Sequence, residues 1–234
     1  MSSKLLNVLS IDFDFFQIVD TDTIYSCYPD GIDLPTKITE ITWANYYQIP
    51  YKDGREQLLN VDVNDKLIKN VINLAINNAR NSNIPFIAAN SHKHIYEFME
   101  NEITKNKYES VHIYNLDMHH DYRNYRNSND KVDCGNWLGM AVKHFPNCQA
   151  TWVMNPISLD LTDKTKIKDL HTVKTLRVLK DVKFDMIYLC RSDSWTPPHL
   201  DNYFAIILDE LAYKFRNAKA ENSIIQPRNP SIYM

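Results

Sequence analysis

Hydrophobic positions recur with two periods along this chain, and the two periods take turns. Leu5 to Phe16 carries Val8, Leu9, Ile11, Phe13 and Phe15, apolar and β-prone, and predicts a buried strand. Asn64 to Asn81 switches to a helical stripe through Leu67, Ile68, Val71, Ile72, Leu74 and Ala75. A short strand follows over Ile84–Ala89, then a helix from His92 to about Ile103 through Ile95, Phe98 and Met99. Ser110 to Leu116 predicts a strand ending at Asp117, and Ala150–Met154 and Phe184–Cys190 predict two more. His199 to about Phe215 is amphipathic through Tyr203, Phe204, Ile207, Leu208 and Leu211. Gln17 to about Val63, rich in Tyr, Asp and Pro, holds no sustained period and predicts long loops with short elements. The tail after Asn217 is polar and Pro-punctuated, and predicts loop.

Strands alternating with helices need crossover connections. The expected fold is therefore α/β: three layers, a mostly parallel sheet with helices on both faces, in a single domain over 1–234. Composition agrees, with 44% hydrophobic and 24% charged residues in 234. A net charge of −3 supplies no basic footprint for nucleic acid and no attraction to acidic partners or membrane surfaces. Only 4 glycines argue against a Gly-rich phosphate loop. Cys27, Cys134, Cys148 and Cys190 are scattered, which fits reduced thiols better than disulfides or a thiolate zinc site. Asp12 and Asp14 interrupt the first apolar run, so it reads as neither signal peptide nor membrane span, and the expectation is a soluble cytoplasmic protein.

Chemistry gathers where strands end, which is where α/β folds place it. In Asn115-Leu116-Asp117-Met118-His119-His120-Asp121, strand alternation would turn Asp117, His119 and Asp121 into one pocket. Two carboxylates and an imidazole form a hard, mixed ligand set suited to Mn(II), Fe(II) or Zn(II). A solvated turn is the plainer reading, but an apolar strand leading straight into D-x-H-x-D favours a metal. In Ser10-Ile11-Asp12-Phe13-Asp14, two carboxylates share a face among Ile and Phe, a costly arrangement without a cation or hydrogen bonds. His92, at a strand–helix junction in Asn90-Ser91-His92-Lys93-His94, would stand at the same mouth, with His94 structural. Two metals sharing such a site would activate water for hydrolysis at carbon or phosphorus without a covalent intermediate.

These runs resemble the arginase/ureohydrolase superfamily. Asp117-Met118-His119-His120-Asp121 is similar to its D-x-H-x-D strand end, Ser10-Ile11-Asp12-Phe13-Asp14 to its S-x-D-x-D strand, and Ser91-His92 to its first histidine. Asp133-Cys134-Gly135-Asn136-Trp137-Leu138 and the run from Cys190 to Leu200 resemble the bacterial peptide arginases, which convert arginine residues of ribosomally made peptides to ornithine and urea. Three departures stand out. The D-x-D strand comes first, which implies a circular permutation; Asn90-Ser91 replaces Gly-Asp; and Trp137-Leu138 replaces a proton-transfer histidine.

The resemblance implies two Mn(II) ions held by Asp12, Asp14, His92, Asp117, His119 and Asp121, with a bridging hydroxide attacking the guanidinium carbon. His119 is drawn into catalysis with the ligands, and Asp14 or Asp121 would take the proton for the departing ornithine. The implied partner is a precursor peptide; nothing predicts the oligomeric state. Asn136 and Asp193 are substrate-contact candidates, a carboxylate suiting guanidinium recognition, while Arg191 could instead pair with a site carboxylate. Trp43, Tyr46 and Tyr47 could bind a peptide backbone or form a satellite core. The competing readings are another amidinohydrolase acting on free arginine, agmatine or a guanidino acid, a metal-dependent deacetylase, a haloacid-dehalogenase-type phosphatase, and a non-catalytic metal-binding module. Phe16 stands where the phosphatases want Thr or Val, and deacetylases use fewer carboxylates.

Overall fold

The computed structural model describes residues 4–29, 34–48, 54–122, 131–162, 170–215, 225 and 228. Among them are eight strands: β1 (Leu5–Asp12), β2 (Gln17–Ile18), β3 (Asp62–Val63), β4 (Phe86–Ala89), β5 (Ser110–Asp117), β6 (Cys148–Met154), β7 (His171–Val173) and β8 (Met186–Cys190). Six of them form one parallel sheet in the order β4-β8-β1-β5-β6-β7, while β2 and β3 pair antiparallel beside it.

Strand alternation sorts the side chains of the sheet into two cores. Leu9 and Ile11 of β1, with Leu116, Ile187 and Leu189, meet Ile68, Val71 and Ala75 of α4 (Asp65–Asn78) and Phe204, Ile207 and Leu211 of α8 (Asp201–Lys214). Leu6 and Val8, with Val111, Ile113 and Met186, meet Ile95 and Met99 of α5 (His94–Asn106) and Trp137, Leu138 and Ala141 of α6 (Trp137–His144). Helices therefore cover both faces, and the expected three-layer α/β class is the one observed.

Some boundaries differ from expectation. β1 stops at Asp12, and Phe13–Phe16 is a 3-10 turn capped by Asp12, whose Oδ1 accepts from the Asp14 amide at 3.2 Å. The stretch expected to be long loops with short elements holds the short helices α1 (Thr21–Cys27) and α3 (Gly54–Leu59), and between them the longer α2 (Thr36–Gln48). In α2 the buried positions are Thr36, Thr39, Trp43 and Tyr47, a helical spacing built from threonine and aromatic rings, while Ile38 and Ile41 are exposed. Counting aliphatic residues misses such a helix. α6, the short α7 (Ser158–Leu161) and β7 were not anticipated either. Most of the polar tail lies outside the described residues.

This topology makes a crevice. After β1 the chain crosses the face carrying α4 and enters β4 on one side; after β5 it crosses the other face through α6 to β6 on the opposite side. β1 and β5 are adjacent strands whose connections leave in opposite directions, the switch point at which open α/β sheets bind ligands beyond the strand ends.

Candidate metal centre

The face of the sheet that packs on α5 and α6 turns polar towards that crevice. On β1, Leu6 and Val8 give way to Ser10 and Asp12; on β5, Val111 and Ile113 give way to Asn115 and Asp117. Ser10 is the register partner of Asn115, so the polar positions stand side by side. Beyond the strand ends, the 3-10 turn adds Asp14, the segment after β5 adds His119 and Asp121, and the turn after β4 adds His92. All six metal candidates from the sequence meet here, and all but His119 are buried.

The convergence after β5 is not strand alternation. β5 ends at Asp117, and Asp121 is reached through a left-handed backbone (φ 47°). Such a conformation costs about 1 kcal/mol or more in a non-glycine residue, so surrounding bonds must hold it. The Asp121 carbonyl accepts from the Leu138 amide at 3.1 Å and the Gly139 amide at 3.3 Å, and its Oδ2 accepts from the Trp137 indole at 2.6 Å. Trp137, where the resemblance wants a histidine, thus holds a candidate ligand in place. Ser192, also left-handed (φ 52°), donates its hydroxyl to Asp12 Oδ2.

Two adjoining nests result. In one, His92 Nδ1 stands 3.0 Å from Asp12 Oδ2, 3.1 Å from Asp121 Oδ2 and 3.3 Å from Asp117 Oδ2, yet is aligned as a hydrogen bond with none of them. In the other, His119 Nδ1 lies 2.9 Å from Asp14 Oδ2 and 3.9 Å from Asp117 Oδ1. Asp117 belongs to both, one oxygen towards each; the possible ligand atoms of His92, Asp117 and Asp121 lie within 4.8 Å of one another, as do those of Asp14, Asp117 and His119, while Asp12 groups in the same way with His92 and Cys190. A buried nitrogen facing three carboxylate oxygens without a hydrogen bond is the outline of a cation's ligand shell. The donors are hard oxygens and imidazole nitrogens, and they fit Mn(II), Fe(II) or Zn(II).

Neighbours orient the donors as outer partners of metal ligands do. Ser10 Oγ lies 2.7 Å from His92 Nε2, leaving Nδ1 to face the carboxylates, and the ring stacks on Tyr188 and packs against Trp137. Asn115 Nδ2 donates to Asp117 Oδ2 at 3.0 Å, the Met118 amide to Asp14 Oδ1 at 3.0 Å and the His119 amide to Asp117 Oδ1 at 2.7 Å. Ser10 and Asn115 each stand two residues before an aspartate on their strand, so alternation could have found them. Trp137 and Ser192 come from distant segments with no such signal.

Charge is badly out of balance without a cation. Burial and the Asp14 charge push Asp12 up to about 6. Burial and the charges of Asp121, Asp14 and Asp12 push Asp117 well above the carboxylate range. Burial opposes charge on His92, but the three carboxylates facing it, Asp117, Asp12 and Asp121, hold it well above the usual histidine value. His119 is raised too, against burial, by Asp14. Asp121 is held low despite burial, by His92, His119 and the Trp137 bond. Cys190 also reaches Asp12 and His92, but burial and Asp12 raise its thiol far up, so it stays a neutral neighbour rather than a thiolate ligand.

A cleft of about 490 Å³ opens beside His92, lined among others by Thr36, Asn90, Ser91, Ser192, Asp193 and Trp195. Asp193 lines it, but its oxygens are occupied: Oδ1 accepts from Arg191 Nε at 2.6 Å, and Oδ2 from Thr36 Oγ1 at 3.1 Å and Asn90 Nδ2 at 3.2 Å. Arg191 pairs with this carboxylate rather than reaching the metal nests. Asn136 is not brought to the cleft; its Oδ1 accepts from the Asp133 amide and its Nδ2 donates to the Lys131 carbonyl. Trp43 and Tyr47 are core residues, Trp43 donating to the Asp193 carbonyl at 2.8 Å, with Tyr46 packed against them. No helix among the described residues is long and apolar enough to cross a membrane. Comparison of the chain with protein-family models, with curated proteins and with solved structures found no significant match.

Proposed function

We propose that this protein is a Mn(II)-dependent amidinohydrolase that converts arginine residues of a ribosomally made precursor peptide to ornithine and releases urea. The observation that carries the reading is the pair of adjoining nests that share Asp117, one of them enclosing His92 Nδ1 among three carboxylates with no aligned hydrogen bond. Asp12, His92, Asp117 and Asp121 would hold one ion, and Asp14, Asp117 and His119 the other. The chemistry that a pair of divalent cations supplies is activation of water to a nucleophile at neutral pH.

The rest falls to the chain's own residues. The guanidinium is an unreactive cation, and the four buried carboxylates of the nests, behind His92 on the cleft wall, supply negative charge towards it. Hydrolysis adds water across the bond between the guanidino carbon and the δ-nitrogen; that bond breaks, urea leaves, and the δ-amine takes a proton. Both carboxylates are already bonded, Asp121 Oδ2 to the Trp137 indole and Asp14 Oδ2 to His119 Nδ1 at 2.9 Å, but His119 is the most open of the six side chains, at 25%. Asp14 is therefore the better placed of the two to hand on that proton, with His119 beside it. Carboxylates contributed by both β1 and the segment after β5 weigh against a deacetylase, and the D-x-H-x-D segment built into the same site weighs against a phosphatase.

The test compares an arginine-containing peptide, free arginine and agmatine as sources of urea in the presence of Mn(II). Manganese-dependent release, greatest from the peptide, is expected. Turnover of free arginine alone would overturn the peptide assignment, and no urea from any of them would overturn the amidinohydrolase.

A further inference from the structure

The loop after β8 touches the centre at several points, and little secondary structure holds it. Ser192 bonds Asp12, Asp193 lines the cleft, and the Trp195 ring stands 4.1 Å from the His119 ring. Its carbonyls are held from outside: Trp43 Nε1 donates to Asp193 O, and Gln17 Nε2 to Trp195 O at 2.7 Å. One further residue grips it twice. Arg228 donates from Nη1 to Thr196 O at 2.7 Å and to Asp193 O at 3.3 Å. The same guanidinium donates through Nε to Asp201 Oδ2 at 2.9 Å and through Nη2 to Asp201 Oδ1, at the start of α8.

A fully buried guanidinium is expensive. Burying a charge costs several kcal/mol unless it is paired and its donors are satisfied, and an apolar side chain would fill the space more cheaply. Here the side chain is 0% exposed and its planar fork spans two objects, the α8 carboxylate and the loop carbonyls. Only arginine has that reach and geometry; a lysine ammonium can keep the ion pair but cannot bridge both.

We propose that Arg228 is a positioning residue for the metal centre: by fixing the Ser192–Thr196 loop against α8, it sets the Ser192–Asp12 contact and the cleft wall. The proposal rests on the metal-centre reading above, but its measurement is metal affinity rather than turnover. Arg228→Lys and Arg228→Met, in the full chain, are compared with wild type by Mn(II) titration and by thermal melts in EDTA. The expected result is Mn(II) binding weakened about tenfold in both, the size of effect usual for partners that orient metal ligands, in Arg228→Lys with little change in the metal-free melt. Millimolar guanidinium, added to Arg228→Ala, restores part of the affinity. Wild-type affinity in a folded Arg228→Lys overturns the proposal; should Arg228→Met fail to fold, the lysine variant and the guanidinium rescue decide. A wild-type chain that binds no Mn(II) removes the metal reading itself, and this inference with it.

Discussion

Two buried polar clusters lie at the same edge of the sheet and differ in one respect. The network of Arg191, Arg228, Asp193 and Asp201, with Thr36 and Asn90, pairs each cation with a carboxylate. The cluster of Asp12, Asp14, Asp117 and Asp121 with His92 and His119 sets four carboxylates against two imidazoles, and one imidazole nitrogen is aligned with no partner among the described residues. The first is electrostatically complete and needs nothing further. The second is complete only with added positive charge, as protons or as metal. Balance, more than the presence of acids and bases in a cleft, separates a brace from a binding centre.

The harshest test removes the residue both nests share. Asp117→Ala should abolish urea release and leave the purified protein with little bound manganese by elemental analysis; a full metal complement would break the assignment. In wild type, Mn(II) at roughly a hundred times its Kd contributes about 2.7 kcal/mol, a rise of about 5–10 °C in melting temperature for a chain of this size, and Asp117→Ala should lose that rise.

The imbalance also has a pH signature. Asp12 keeps its proton in the native state up to about 6, while the unfolded chain releases it from 3.8, so the fold loses stability as pH rises between those values. His92, raised well above 6.5, adds a term of the same sign: its stabilisation is full below 6.5 and is lost as pH rises through its native value. Asp121, held low, acts oppositely, but only below 3.8. Metal must displace these protons, so the increment from Mn(II) should be larger near pH 8 than near pH 5. Paired melts in EDTA and in Mn(II) read it, and an increment flat with pH contradicts the charge argument.

Much of this could be read in advance, for identifiable reasons. Burial on both faces makes β1, β5 and β8 apolar runs, and their ends stand out because charged residues interrupt them abruptly. β4 shows likewise, and His92 follows it. Strand alternation, by contrast, misplaces the last three candidates: Asp14 sits in a 3-10 turn, and His119 and Asp121 lie beyond β5, Asp121 with a left-handed backbone. Helix α2 hides because its buried face is threonine and aromatic. Asp193 has the residue type and position of a substrate contact, and only its three side-chain partners, two of them distant in sequence, reveal it as a brace.

That brace supplies the next contrast. Asp193→Asn leaves the Arg191 guanidinium buried without its carboxylate, and stability should fall by about 3 kcal/mol in urea unfolding. The number of Mn(II) ions bound at saturation should not change, because none of the six candidate ligands is lost. A reduced stoichiometry would mean that the two clusters are one unit.

The smallest expected effect discriminates most finely. Ser10 and Ser158 are both fully buried serines, but Ser10 Oγ bonds His92 Nε2 at 2.7 Å, whereas Ser158 Oγ has no partner among the described residues. If Ser10 fixes the imidazole so that Nδ1 faces a metal, Ser10→Ala should weaken Mn(II) binding about tenfold while moving metal-free stability by about 1 kcal/mol. Ser158→Ala deletes a buried hydroxyl that does not bond His92, and Mn(II) affinity should stay at the wild-type value. Equal losses in both variants would mean that burial at this sheet edge, rather than orientation of His92, governs affinity, and the distinction between the complete and the incomplete cluster would lose its physical basis.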